Sequence, residues 1–110
     1  DTIVMDIDLT SAIRIEELVV GSCNAPNDWV LAPIRVEMQH SRNGKRYSEW
    51  IELQTDDATA VKRLRYTLPN RIKKKASKVR LRIIANAVLP ESHPYHGQGA
   101  WLMLDEIEIK

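Results

Sequence analysis

The sequence predicts an all-β fold, an antiparallel β-sandwich of jelly-roll type, and three observations lead there. Apolar and polar residues alternate in short runs, with Ile3, Met5, Ile7 and Leu9 set against Val4, Asp6 and Asp8. Successive side chains of a strand point to opposite faces, so such a run is a half-buried strand. Turn chemistry separates the runs, above all Asn43-Gly44, a pair that readily takes positive φ in a hairpin. No stretch keeps a period of 3.6. Regularly spaced short strands of this kind build two packed sheets.

The elements follow in order. Thr2 to Leu9 is the first strand, Thr10-Ser11 a short turn, and Ile13 to Val20 a second strand with Arg14 and Glu16 facing out. Gly21 to Asp28, GSCNAPND, is a loop by composition. Trp29 to Pro33 leads out of it, and Ile34, Val36 and Met38 then alternate with Arg35, Glu37 and Gln39 up to the turn at Ser41 to Gly44. Tyr47 to Leu53 returns as a fourth strand, with Trp50 available to cover the core. After a polar break over Thr55 to Thr59, Val61 to Leu68 is β-rich and basic, and Lys73-Lys74-Lys75 reads as a solvated connection. Lys78 to Ala85 is the clearest interior strand, with Val79, Leu81 and Ile83 on one side and Arg80 and Arg82 on the other. In the last strand Leu102 and Leu104 share a face before Ile107 and Ile109 take over the apolar role. A period of two permits that switch only with a bulge near Asp105-Glu106.

At 110 residues the chain makes a single domain, able to bury roughly two-thirds of its unfolded surface. No apolar run approaches the ~18 residues of a membrane span. The single Cys23 excludes an internal disulfide and a cysteine-rich zinc site, and reads as a buried small residue. Net charge is only +1, yet Ala58 to Pro90 holds ten Lys or Arg and no acid. Cross-strand pairing absorbs such an imbalance, with Arg80 and Arg82 facing Glu106 and Glu108 or Glu16 and Glu17. The sharper alternative is a polyanion-binding face along Lys62 to Arg82. Balanced total charge and the lack of an aromatic platform interleaved with the basic run set nucleic acid below other partners.

Candidate site residues concentrate before the last strand. His93, Tyr95, His96, Gln98 and Trp101 lie in nine residues with Gly97 and Gly99. Sugar recognition needs a ring face against the apolar side of a pyranose, with donors and acceptors for its hydroxyls. The glycines would let a ligand approach the backbone. Trp101, at the strand start, has packing into the core as its stronger reading. Trp29 forms a second wall of the site if its loop emerges at the same end, and otherwise shields the mouth of the core. His93 and His96 lack a third nitrogen or sulfur ligand nearby in sequence, which sets a metal site below the sugar reading. Asp105 and Glu106 are adjacent on a strand and point to opposite faces, so they cannot flank one bond as glycosidase acids do. No G-x-S-x-G, Walker loop or H-E-x-x-H motif appears in the sequence, and the expectation is a chain that is not itself catalytic.

Several landmarks together resemble a known family: VMDIDL, the Trp29-Val30 to Pro33 approach, SRNGKRYSEW, KVRLRIIANAV and the ending GAWLMLDEIEI. The chain resembles the galactose-binding-like β-sandwich of the discoidin, or coagulation factor type C, superfamily. It is most similar to modules that close bacterial family-20 glycoside hydrolases, the β-N-acetylhexosaminidases called chitobiases. The loop HPYHGQGAW is similar to their W-H-P-x-x-G-G-x-A-W loop. The likeness runs over nearly all of the chain. It implies a carbohydrate-binding or accessory module of a periplasmic, secreted or cell-surface glycoside hydrolase, partnered by an amino-sugar or galactose-type glycan and by its own catalytic domain. It also implies a structural calcium, to which Glu106 would contribute. The family usually opens with a D-G-x-x-x-T-x-W segment that supplies part of that calcium site and one or two strands. This sequence starts after it, so the expectation is a C-terminal piece lacking its first strands.

Overall fold

The alternating pattern resolves into eight strands in a computed structural model, which describes residues 2–25, 28–55, 62–86, 89, 94, 97 and 99–110. They are β1 (Thr2–Arg14), β2 (Leu18–Asn24), β3 (Arg35–Ser41), β4 (Ile51–Glu52), β5 (Gln54–Thr55), β6 (Lys62–Thr67), β7 (Lys75–Ile84) and β8 (Leu104–Ile109). Two four-stranded sheets form, in the orders β1-β7-β3-β4 and β5-β6-β2-β8. Every pairing within them is antiparallel. This is the all-β sandwich that the alternation predicts.

The core lies between the sheets. Val36, Met38, Val79, Leu81 and Ile83 from the first sheet meet Leu18, Val20, Leu64 and Tyr66 from the second. Each such side chain contributes roughly 1.5–3 kcal/mol by leaving water. Tyr66 keeps its phenol satisfied by donating to the Pro33 carbonyl at 3.0 Å, and burial pushes its ionisation up.

Several boundaries differ from those expected. Thr10 does not end the first strand. It takes φ 66° inside a continuous β1, and the register with β7 shifts between Asp8 and Ile13. The supposed second strand is divided by a corner at Ile15 to Glu17, where the chain passes from one sheet to the other. There Ile15 is fully buried, and the Glu16 and Glu17 amides donate to the Lys110 carbonyl at 2.7 and 3.0 Å. β2 instead runs on through GSCN to Asn24. Small residues suit that place: Ser22 Oγ donates to the Met103 carbonyl at 2.7 Å, and the absent side chain of Gly21 leaves room for the Asp105 carboxylate.

Tyr47 to Leu53 is likewise not one strand. Ile51–Glu52 joins the first sheet and Gln54–Thr55 the second, with Leu53 buried at the crossing. Ile34 is 62% exposed, because it lies before β3 at the margin of the sheet, its amide bonded to the Ile84 carbonyl.

Trp50 does not cover the core. It lies on the outer face of the first sheet, 4.0 Å from the Arg82 guanidinium, while the Tyr47 ring sits 4.2 Å from that of Arg80. The pairing of the basic strand also differs from expectation. Arg80 Nε donates to Asp6 Oδ1 at 2.7 Å and its Nη1 to Gln39 Oε1 at 3.1 Å. Arg82 Nε donates to Glu37 Oε1 at 2.9 Å. Glu106, Glu108, Glu16 and Glu17 belong to the other sheet or the corner, so they cannot serve these arginines. The register explains the choice, since Asp6, Arg80 and Gln39 stand opposite one another, as do Arg82 and Glu37.

The expected bulge in the last strand is present. Ser22 faces Leu104 and Gly21 faces Glu106, which leaves Asp105 as the extra residue.

Candidate functional site

One end of the sandwich gathers described residues of two segments, 25 and 28–34 between β2 and β3 and 99–103 before β8. Beyond Asn24 the chain folds back sharply. Ala25 and Val30 exchange backbone hydrogen bonds at 2.9 and 3.1 Å, and Trp29 takes φ 63°, a left-handed conformation that a bulky residue adopts only when its surroundings enforce it. The Trp101 amide donates to the Trp29 carbonyl at 2.7 Å, and the Leu31 amide to the Trp101 carbonyl at 3.1 Å. Asn24 Oδ1 accepts from the Ala32 amide, and Asn86 Nδ2 donates to the Ala32 carbonyl at 2.9 Å.

These bonds bring the two tryptophan-bearing segments to one rim. Trp29 is half-buried, whereas Trp101 is 69% exposed. The core-packing reading of Trp101 is therefore overturned; at the margin of the sheet its ring lies beyond the interior. His93, Tyr95, His96 and Gln98 lie outside the described residues. Gly97 takes φ 82° and bonds through its amide to the Leu89 carbonyl at 3.1 Å. Open space surrounds the position a side chain would occupy at Gly97 and Gly99.

Glu106 lies on β8 beside Glu108. The hydrogen bond that its protonated form shares with Glu108 raises the Glu106 pKa from its ordinary value; the Glu108 charge, desolvation and the Asp105 charge add to this and Arg63 opposes it. Asp105 is engaged by Arg63, with Nη2–Oδ2 at 2.9 Å. Among the described residues no three His, Cys, Asp or Glu side chains gather as a metal site. Calcium takes six to eight oxygen ligands, and the described residues by themselves do not fit that demand.

The opposite end carries a cleft of about 620 Å³. Arg14 from the end of β1, Arg42 and Arg46 from the turn after β3, and Lys73, Lys74 and Lys75 line it with His40 and Tyr47. No carboxylate is among its lining residues. None of the six cations makes an ion pair among the described residues, in contrast to Arg63, Lys78, Arg80 and Arg82. The turn is stiff: Asn43 Oδ1 accepts from the Lys45 and Arg46 amides at 2.8 and 3.1 Å, and Gly44 takes φ 74°. Ser77 Oγ ties the turn to β7 through the Arg42 carbonyl at 2.6 Å. Burial, and then the Lys74 charge, lower the His40 pKa from its ordinary value.

Sequence reasoning missed this cleft. Lys73 to Lys75 reads as solvated connection, and nothing local in Arg14, His40 or Arg46 announces a shared concavity. The signal available was the acid-free basic run, of which ion pairs take up Arg63, Lys78, Arg80 and Arg82.

Fold and sites define a two-sheet β-sandwich with an aromatic rim at one end and a basic cleft at the other. No protein-family model matches the chain, and no curated protein matches it.

Proposed function

We propose that this domain is a non-catalytic carbohydrate-binding module of the galactose-binding-like type, an accessory part of a bacterial glycoside hydrolase that works outside the cytoplasm. The observation that carries the reading is the exposed Trp101 ring on a segment bonded to that of Trp29. A tryptophan presented at the rim of a rigid sandwich offers a flat apolar surface to a pyranose. His93, Tyr95, His96 and Gln98 precede Trp101 closely in sequence and would supply the polar partners; Glu106 belongs with the calcium part of the proposal. Affinity is expected at ~10⁻³ to 10⁻⁵ M, because one sugar ring buries little area. Calorimetric titration with N-acetylglucosamine and galactose tests it, with heat expected from one of them and lost in Trp101→Ala. Silence from both sugars sinks the reading.

A second reading has its own observation. Trp101 and Met103, 69% and 53% exposed, lie two residues apart just before the edge strand β8, an apolar pair suited to packing on a catalytic domain. Under that reading Trp101→Ala weakens association with the catalytic domain and leaves sugar titrations flat before and after.

A further inference from the structure

Six cations with no ion-pair partner among the described residues line one concavity, an arrangement that the domain holds at a cost, since like charges in a cleft repel and focus the field. An anion seated there offsets that repulsion. The cleft is neither a flat stripe nor a flexible tail. The Asn43 turn is braced from within and tied to β7, so Arg42 and Arg46 stand on a fixed backbone opposite Lys73 to Lys75. A volume of about 620 Å³ falls in the range of small-molecule sites. It exceeds what a bare ion fills.

We propose that this cleft is a second binding site, distinct from the tryptophan rim, that takes a sulfate or phosphate ester carried on a sugar. Arg and Lys bind tetrahedral oxyanions through charge-assisted hydrogen bonds, and Asn43 in the lining, whose Oδ1 already braces the turn, has a side-chain amide donor suited to a sugar hydroxyl. Nucleic acid is disfavoured by the aromatic inventory. The one Phe, Tyr or Trp ring among the lining residues, Tyr47, is engaged by Arg80, which leaves no broad aromatic platform for stacked bases. The sugar carrier rests on the glycan reading above; the ester is dictated by the cleft itself.

The test is a set of NMR titrations of the whole domain at low salt, read at Gly44, Ser48 and the His40 ring. The probes are N-acetylglucosamine 6-sulfate, N-acetylglucosamine 6-phosphate, unmodified N-acetylglucosamine, inorganic sulfate and a single-stranded DNA oligomer. Either ester is expected to bind at the cleft at least about tenfold more tightly than the unmodified sugar. Lys73→Gln/Lys74→Gln is expected to weaken it by about tenfold, and Arg65→Gln, which removes the same kind of charge from the other sheet, by less than about twofold. Which ester wins identifies the source of the oxyanion. Equal binding of the unmodified sugar overturns the site, and inorganic sulfate binding as tightly as the esters overturns the sugar carrier. Tighter binding of DNA overturns the ligand class. Trp101→Ala separates the two readings: it leaves the cleft titration unchanged, so a silent rim with a responding cleft rejects only the rim.

Discussion

Arg82→Leu tests the outer-face network of the first sheet and carries a calculable cost. Arg82 makes a charge-assisted hydrogen bond to Glu37, a carboxylate whose side chain is only 12% exposed, and stacks on Trp50 at 4.0 Å. The stack is worth about 0.5–1 kcal/mol at a partly exposed position. A hydrogen bond to a charged group is worth about 1.5–3 kcal/mol, chiefly because its loss leaves a shielded charge without its partner. Arg35 remains 3.6 Å from Glu37 and recovers part of that loss, while leucine retains the apolar stem. A destabilisation of about 2 kcal/mol follows. In a chain of this size it lowers Tm by about 9 °C. Urea unfolding followed by tryptophan fluorescence measures it, and Trp50→Ala/Arg82→Leu in a double-mutant cycle isolates the stack. A change under ~0.5 kcal/mol refutes the claim that this network holds the face together.

Tyr66→Phe leaves the Pro33 carbonyl without its donor, so a loss of about 1 kcal/mol is expected in the same unfolding assay. Glu108→Gln removes the partner that raises Glu106. The folded state holds that proton to higher pH than the unfolded chain, so the contribution is full below the ordinary glutamate range and is lost as pH rises through the raised value. The variant is expected to flatten the decline of Tm above that range. His40 runs the other way. Its folded pKa is depressed by burial and Lys74, so its contribution is present above the ordinary histidine value and lost as pH falls through the folded one. An anion seated in the cleft reverses the shift, and a His40 pKa rising on addition of the sugar ester is the expected NMR signature.

Much of the fold is legible because strand alternation is a local property. Val79, Leu81 and Ile83 face the core as their spacing requires, Asn43-Gly44 makes its turn, and the switch from Leu104 to Ile107 announces the bulge at Asp105. What escapes is decided by distant chain. A strand that changes sheets at Ile15 to Glu17 or at Leu53 looks locally like one that continues. GSCN reads as a loop because small polar residues usually make one, yet in β2 those small residues admit Asp105 over Gly21 and bond Ser22 to Met103. Trp50 is apolar enough for the core, but the register places Arg82 where its ring can stack outside. The rim is half legible: sequence names Trp29 and Trp101, and only the backbone bonds between them show that they share an end. The basic cleft draws on three separated segments, and no local pattern joins them.

The most direct test of the glycan-binding proposal is the indole N–H resonance of Trp101 followed by NMR during titration with N-acetylglucosamine or galactose. The account predicts a saturable shift of that signal, with a smaller one at Trp29 and none at Trp50. A Trp101 signal unmoved by either sugar, at concentrations well beyond the expected millimolar range, contradicts it.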